Sequence, residues 1–303
     1  MISNILIADG ATGTYLLNEL NNSQNVQLTD LLNINNPELV KKAHDNYYRA
    51  GANIIKTNTF NSQYVSLNKY GFGNKFEEIN RLAAKFATDC RDKWNALTPN
   101  IVRYVAGNIG SSDFCVDKAK AEKLKLNYIS PSGYEGSCFK QAEILISAKV
   151  DFIWLETFFI SENAEIALHA VKNAFEKLNT EPKIIITFSI NQAGNALIDN
   201  TPIENVADIL KKFPIMACGV NCNYDYSTLN NFLTNISALV DIPLVISPSA
   251  GIIGEDGNFS MSAKQIAEML LKLSNNYNVK IVGSCCGSTP EYTKAIADLL
   301  KCV

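Results

Sequence analysis

Short, nearly unbroken apolar runs recur along the chain, each followed by a longer stretch in which apolar positions repeat at helical spacing. Eight runs stand out: Ile5–Ala8, Ile54–Lys56, Val102–Ala106, Phe152–Leu155, Ile184–Phe188, Met216–Val220, Leu244–Ser247 and Lys280–Val282. Runs this short and this continuously apolar suit strands buried on both faces of a parallel sheet. The stretches between them carry helix-end signals. Asn36-Pro37-Glu38 offers an N-cap, a first-turn proline and an acidic first turn. Gly51 provides a stop after Tyr47-Tyr48-Arg49-Ala50. Thr201-Pro202-Ile203-Glu204 and Ser262-Ala263-Lys264-Gln265 both fit capping boxes. Glu77–Trp94 and Asn163–Leu178 are further helical runs, and Ser288-Thr289-Pro290-Glu291 opens the last helix.

Eight strand–helix alternations predict parallel pairing throughout. The count favours an α/β fold closed as a single (β/α)8 TIM barrel over an open doubly wound sheet. No Gly/Pro/Ser-rich linker or low-complexity run divides the chain, so residues 1–303 are expected to be one domain. The connections after the first three strands are the longer ones. The longest polar stretch, Ser111–Gly136, is expected as a loop that shapes the site or covers it.

Composition changes this picture little. Apolar residues make up 47% of the 303 and charged residues 19%, enough to build a core and unlike a disordered chain. A net charge of −3 and a pI of about 5.6 argue against nucleic acid as a partner, since phosphate binding wants a basic face. Met1–Ile7 has no positive leading region, and no apolar stretch reaches the ~20 residues that span a bilayer. The expected location is the cytoplasm, with no membrane partner.

Chemistry in a barrel gathers where strands end. Strand one runs into Asp9-Gly10-Ala11-Thr12-Gly13-Thr14, strand two into Thr57-Asn58-Thr59-Phe60, and strand four into Glu156-Thr157. Strand six ends in Asn221-Cys222, and strand eight in Gly283-Ser284-Cys285-Cys286-Gly287. Strands six and eight are near neighbours in a closed barrel, so Cys222, Cys285 and Cys286 can converge. Three thiolates suit a zinc ion whose fourth position stays open for a substrate. Core packing of the same cysteines, or a vicinal redox dithiol at Cys285-Cys286, are the competing explanations. Cys90, Cys218 and Cys302 lie in apolar patterns and are expected as core, while Cys115 and Cys138 have no evident partners. Asp9 and Glu156 could receive an ammonium group at the mouth, or brace loops. His44 and His169 fall inside helical runs and are expected on the surface, which argues against Ser-His or Cys-His catalysis. There is no Walker loop and no G-x-G-x-x-G, although loops after strands seven and eight could bind phosphate.

Together these residues resemble the homocysteine-binding domain of the homocysteine S-methyltransferase family. The matching pieces are Asp9-Gly10-Ala11-Thr12-Gly13-Thr14, Asn58-Thr59-Phe60, Glu156-Thr157, Gly219–Cys222 and Gly283–Gly287. The stretch from Asp30 to Phe60 is most similar to the N-terminal module of cobalamin-dependent methionine synthase. Ser284 stands where the family has a glycine, and Ser249 where it usually has asparagine.

The resemblance implies Zn2+ at Cys222, Cys285 and Cys286, which activates the substrate thiol. It implies that Asp9, Gly10, Ala11 and Glu156 hold the amino-acid end of homocysteine. The product would be methionine. The methyl donor would be S-methylmethionine, S-adenosylmethionine, betaine, or a methylcobalamin protein acting in trans. The alternatives are a homocysteine-presenting module of a split methionine synthase with no activity alone, or an unrelated phosphate-binding barrel enzyme.

A free thiol titrates near ~8.5, and only its anion is a good nucleophile. That is the chemical reason to place a substrate thiol on a metal that keeps the sulfur electron-rich.

Overall fold

The structure, a computed structural model, describes residues 5–20, 27–222, 225–252, 254 and 259–301. Among these residues the strands are β1 (Leu6–Ile7), β2 (Ile54–Lys56), β3 (Tyr104–Gly110), β4 (Phe114–Cys115), β5 (Asn127–Tyr128), β6 (Phe152–Phe158), β7 (Ile184–Phe188), β8 (Ile215–Cys222), β9 (Leu244–Pro248) and β10 (Val279–Val282). Eight of them form one parallel sheet in the order β1-β10-β9-β8-β7-β6-β3-β2. A parallel bridge from Ala8 to Ile54 joins the two ends of that order. Asp9 N–H donates to the Ile54 carbonyl at 2.9 Å, and Asn53 N–H to the Ile7 carbonyl at 2.6 Å. The sheet therefore closes as the expected (β/α)8 TIM barrel.

Burial explains why these runs are strands. Ala8, Ile54, Ala106, Trp154, Ile185, Ala217, Val245 and Ile281 belong to one buried cluster, with one residue from the line of each barrel strand. This is the filled interior of the cylinder. Alternate residues such as Ile7, Ile109, Ile153, Ile184 and Val282 join the larger core beneath the helices. Both faces are thus covered, and the sequence reads as apolar throughout.

Helix ends follow the sequence signals in most places. Pro37–Arg49 begins on its proline and stops before Gly51, which has φ of +106°. Phe76–Leu97, Ser161–Lys177 and Pro290–Lys301 lie where helical runs were expected. Ser262 and Gln265 form both halves of a capping box at the start of Ala263–Asn276.

Three expectations are corrected. The Thr201 capping box does not form: helix Ile203–Leu210 begins after Pro202 without a side-chain cap. The Thr201 hydroxyl instead bonds buried Asp199 at 2.9 Å, an acceptor that also takes the Ser161 amide. The stretch 111–136 is not a plain loop; it carries β4, helix Lys118–Leu124, β5 and the opening of helix Pro131–Ser147. His44 is fully buried, while His169 is exposed as expected. The buried stripe of helix Pro37–Arg49 is Val40, Ala43, His44, Tyr47 and Tyr48, so position 44 falls on the face turned to the barrel.

Cys90, Cys115, Cys138 and Cys218 are buried and free, and Cys302 lies outside the described residues. No helix among the described residues is long and apolar enough to cross a membrane.

Candidate metal and substrate site

The strand ends meet in a cavity of about 250 Å³. Its lining includes Gly10–Thr14, Lys56–Asn61, Asn108, Glu156, Thr157 and all three of Cys222, Cys285 and Cys286. β8 extends two residues beyond the run read from the sequence and ends on Cys222 itself. Cys222 has φ of +92°, a region that side chains rarely occupy, as it leaves the sheet. The turn after β10 brings up the other two sulfurs. It is tied to β9 by the Cys285 amide, which donates to the Pro248 carbonyl at 2.7 Å, and by the Ala250 amide, which donates to the Cys286 carbonyl at 2.9 Å. Gly287 takes the positive φ of +78° that the turn requires. Gly283 serves differently: a side chain there would crowd Ala8 and Ser247.

The three sulfur atoms all lie within 4.8 Å of one another. Cys222 Sγ is 3.5 Å from Cys285 Sγ, which is 4.0 Å from Cys286 Sγ. Three ligands of a tetrahedral zinc with ~2.3 Å bonds sit ~3.8 Å apart, so the trio fits a metal ion with little adjustment. Asn221 Nδ2 lies 3.3 Å from Cys222 Sγ and 3.6 Å from Cys285 Sγ, and donates to Thr157 Oγ1 at 2.6 Å. Its N–H groups face sulfur lone pairs, which favours thiolates. The sulfurs share their protons unequally. Hydrogen bonds from Cys222 and Cys285 hold exposed Cys286 well below the usual thiol range, while donating them raises Cys222.

The carboxylates are arranged otherwise than the sequence suggests. Asp9 is wholly buried and does not line the cavity. Its Oδ2 accepts the Lys56 amide at 2.8 Å, and its Oδ1 lies 3.4 Å from Lys56 Nζ. The same ammonium donates to Glu156 Oε1 at 2.7 Å and stands over the Trp154 ring at 5.3 Å. Glu156 Oε2 accepts from Asn108 Nδ2 at 2.8 Å. Burial raises the Asp9 carboxyl to about 6 against the pull of Lys56. Burial would lower Lys56, but Glu156 and Asp9 outweigh it and its pKa rises.

Lys56 and Asn108 are site residues that sequence reasoning missed, and Lys56 left the clearer signal. The available signal was a lysine closing an otherwise apolar strand that points into the mouth. Gly10 lines the cavity, and a side chain there would overlap Ser288 Oγ. The Ala11 amide donates to that hydroxyl at 3.2 Å. Gly110 leaves room for the Phe60 ring, part of the cavity wall. Ser249 and Ser284 are buried beside the sulfurs' turns, their hydroxyls without partners.

The profile of the homocysteine S-methyltransferase family matches residues 6–300. The chain belongs to that family. As a homocysteine S-methyltransferase it is an enzyme, and homocysteine and a methyl donor are its substrates. Its fold is similar to the homocysteine methyltransferase MmuM from Escherichia coli. The metallated form superposes with a TM-score of 0.80 at 22% identity, covering 98% of this chain and 96% of that one. The oxidised form gives 0.78 at 22% identity with 97% and 95% covered. The apo form gives 0.73 at 21% identity with 98% and 96% covered. At this identity the superposition speaks for the fold alone. Within the homocysteine S-methyltransferase family, the phosphate-binding alternative loses its ground, because the three sulfurs come together.

Proposed function

We propose that this homocysteine S-methyltransferase binds one zinc ion at Cys222, Cys285 and Cys286 and transfers a methyl group to the thiol of homocysteine, giving methionine. The convergence of three sulfurs, 63 residues apart along the chain between Cys222 and Cys285, carries the reading. When bound there, zinc supplies a Lewis acid that favours the anionic form of the substrate sulfur at neutral pH.

The chain's own residues do the rest. Asn221 orients the sulfur ligands and offers them N–H groups. Ala11 heads helix Thr12–Glu19 but has no side-chain oxygen to cap it. The first-turn amides of that helix, on the cavity wall, are therefore available to a substrate carboxylate. Gly10 and Ala11 bring the backbone close enough for this. Glu156 is the carboxylate on the cavity wall among the described residues and faces the amino-acid end, with Asp9 supporting it from beneath through Lys56. Held at both ends, the substrate would present its sulfur in line with an incoming methyl group. The cavity falls just below the ~300 Å³ lower range of small-molecule sites, which suits a compact thiol. Seven free cysteines among the described residues suit a reducing compartment such as the cytoplasm, and we read residues 1–303 as one domain.

The test joins metal analysis to a donor screen. Purified protein is expected to hold about one zinc per chain, in keeping with a three-sulfur site. Cys222→Ala and Cys286→Ala should each lose it. Methionine should form from homocysteine with S-methylmethionine, S-adenosylmethionine, betaine or a methylcobalamin protein. A fully active protein free of metal would refute the proposal.

A further inference from the structure

Among the described residues, the charged groups on the cavity wall, apart from the sulfurs, are Lys56 and Glu156. They are already paired with each other at 2.7 Å. Asp9 lies below them, closed off from the cavity and also turned to Lys56. Glu156 Oε2 is taken by Asn108. A ligand that brings an ammonium therefore meets carboxylates that already share the Lys56 ammonium. It has to compete with Lys56 for them, against the repulsion of one ammonium for another at close range. A ligand carboxylate faces the opposite situation. The uncapped first turn at Thr12–Thr14 and the Lys56 ammonium both lie on the wall it would approach.

We propose that Lys56 is a specificity-determining residue: its ammonium occupies the place between Asp9 and Glu156 that a substrate ammonium would need, so the site selects its substrate by thiol and carboxylate and does not require an α-amino group. This rests on the methyl-transfer reading above and narrows it to a substrate class. Homocysteine remains a ligand, but its ammonium contributes little to binding. Thiol carboxylates of the same length without an amino group bind at least as well. Discrimination arises from a group built into the protein, as specificity often does when an unfavourable contact is placed against one competitor.

The experiment is calorimetric titration of the zinc-loaded protein with homocysteine and with 4-mercaptobutyrate, its des-amino counterpart. No methyl donor is present, so binding is read without turnover. The wild-type protein should bind 4-mercaptobutyrate as tightly as homocysteine or more tightly. Lys56→Ala and Lys56→Gln should expose the two carboxylates and shift the affinity ratio by about tenfold or more toward homocysteine. The wild-type ratio decides the matter even if neither variant folds. Homocysteine binding about tenfold tighter than its des-amino counterpart in the wild type would overturn the proposal and leave the methyl-transfer reading intact. Binding of neither thiol to the zinc-loaded protein would overturn both.

Discussion

At the scale of single residues, the site divides into groups the sequence displays and groups it conceals. Cys222, Cys285 and Cys286 are legible because a strand end and a strand-end pair of the same rare residue predict a meeting point. Lys56 is concealed because its meaning lies in Glu156, 100 positions away. Read alone, Lys56 merely ends a strand. His44 is concealed for a different reason: a polar residue in an amphipathic helix is assumed to face water, and only packing shows that it lies on the buried stripe.

The histidine has a measurable effect. Burial lowers His44 to about 4 from its ordinary 6.5, and both ring nitrogens lack partners. Above pH 6.5 neither folded nor unfolded chain protonates it. Between 6.5 and about 4 the unfolded chain takes a proton that the folded chain refuses, so stability falls as pH falls. The loss approaches roughly 3 kcal/mol by pH 4. Asp9, raised to about 6, acts in the opposite sense, since its folded form holds a proton the unfolded form has released between about pH 4 and 6. Urea denaturation of wild type and His44→Leu across this range isolates the histidine. The gap between them should move by that amount in favour of the variant at low pH; a constant gap would contradict the assignment.

At the scale of elements, eight strands were legible because burial on both faces leaves so strong an apolar signature. Their upper ends were not. β3 and β6 run on to Gly110 and Phe158, and β8 to Cys222, because polar residues at the mouth still pair with neighbouring backbone. Cys222 and Glu156 are thereby held by the ladder itself, on rigid elements rather than on loops. The strands β4 and β5, two residues each, are too short to leave any pattern. Gly219 shows what a motif glycine can mean within a strand. It lies opposite Val245 in the β8–β9 register, and a methyl group there would overlap the Val245 backbone. Gly219→Ala should therefore cost about 3 kcal/mol or leave the protein insoluble, measured by urea melt and soluble yield. A variant of native stability would show that β8 and β9 can separate locally.

At the scale of the whole molecule, the barrel is not equally strong around its circumference. β3 and β6 are joined by five registered pairs, whereas β1 has two residues and meets the line of β2 through a single bridge. Across that junction runs the Asp9–Lys56 ion pair, reinforced by the Lys56 amide on the same carboxylate. The floor of the binding cavity is consequently also the clasp of the cylinder. Anything that draws Lys56 away from Asp9 should let the cylinder breathe along one line. Hydrogen exchange is expected to find the Asp9 and Asn53 amides about tenfold less protected than those of Ile185–Thr187, with the difference widening in Lys56→Gln. Uniform protection around the ring would mean that the clasp bears no tension, and that recognition and closure are independent.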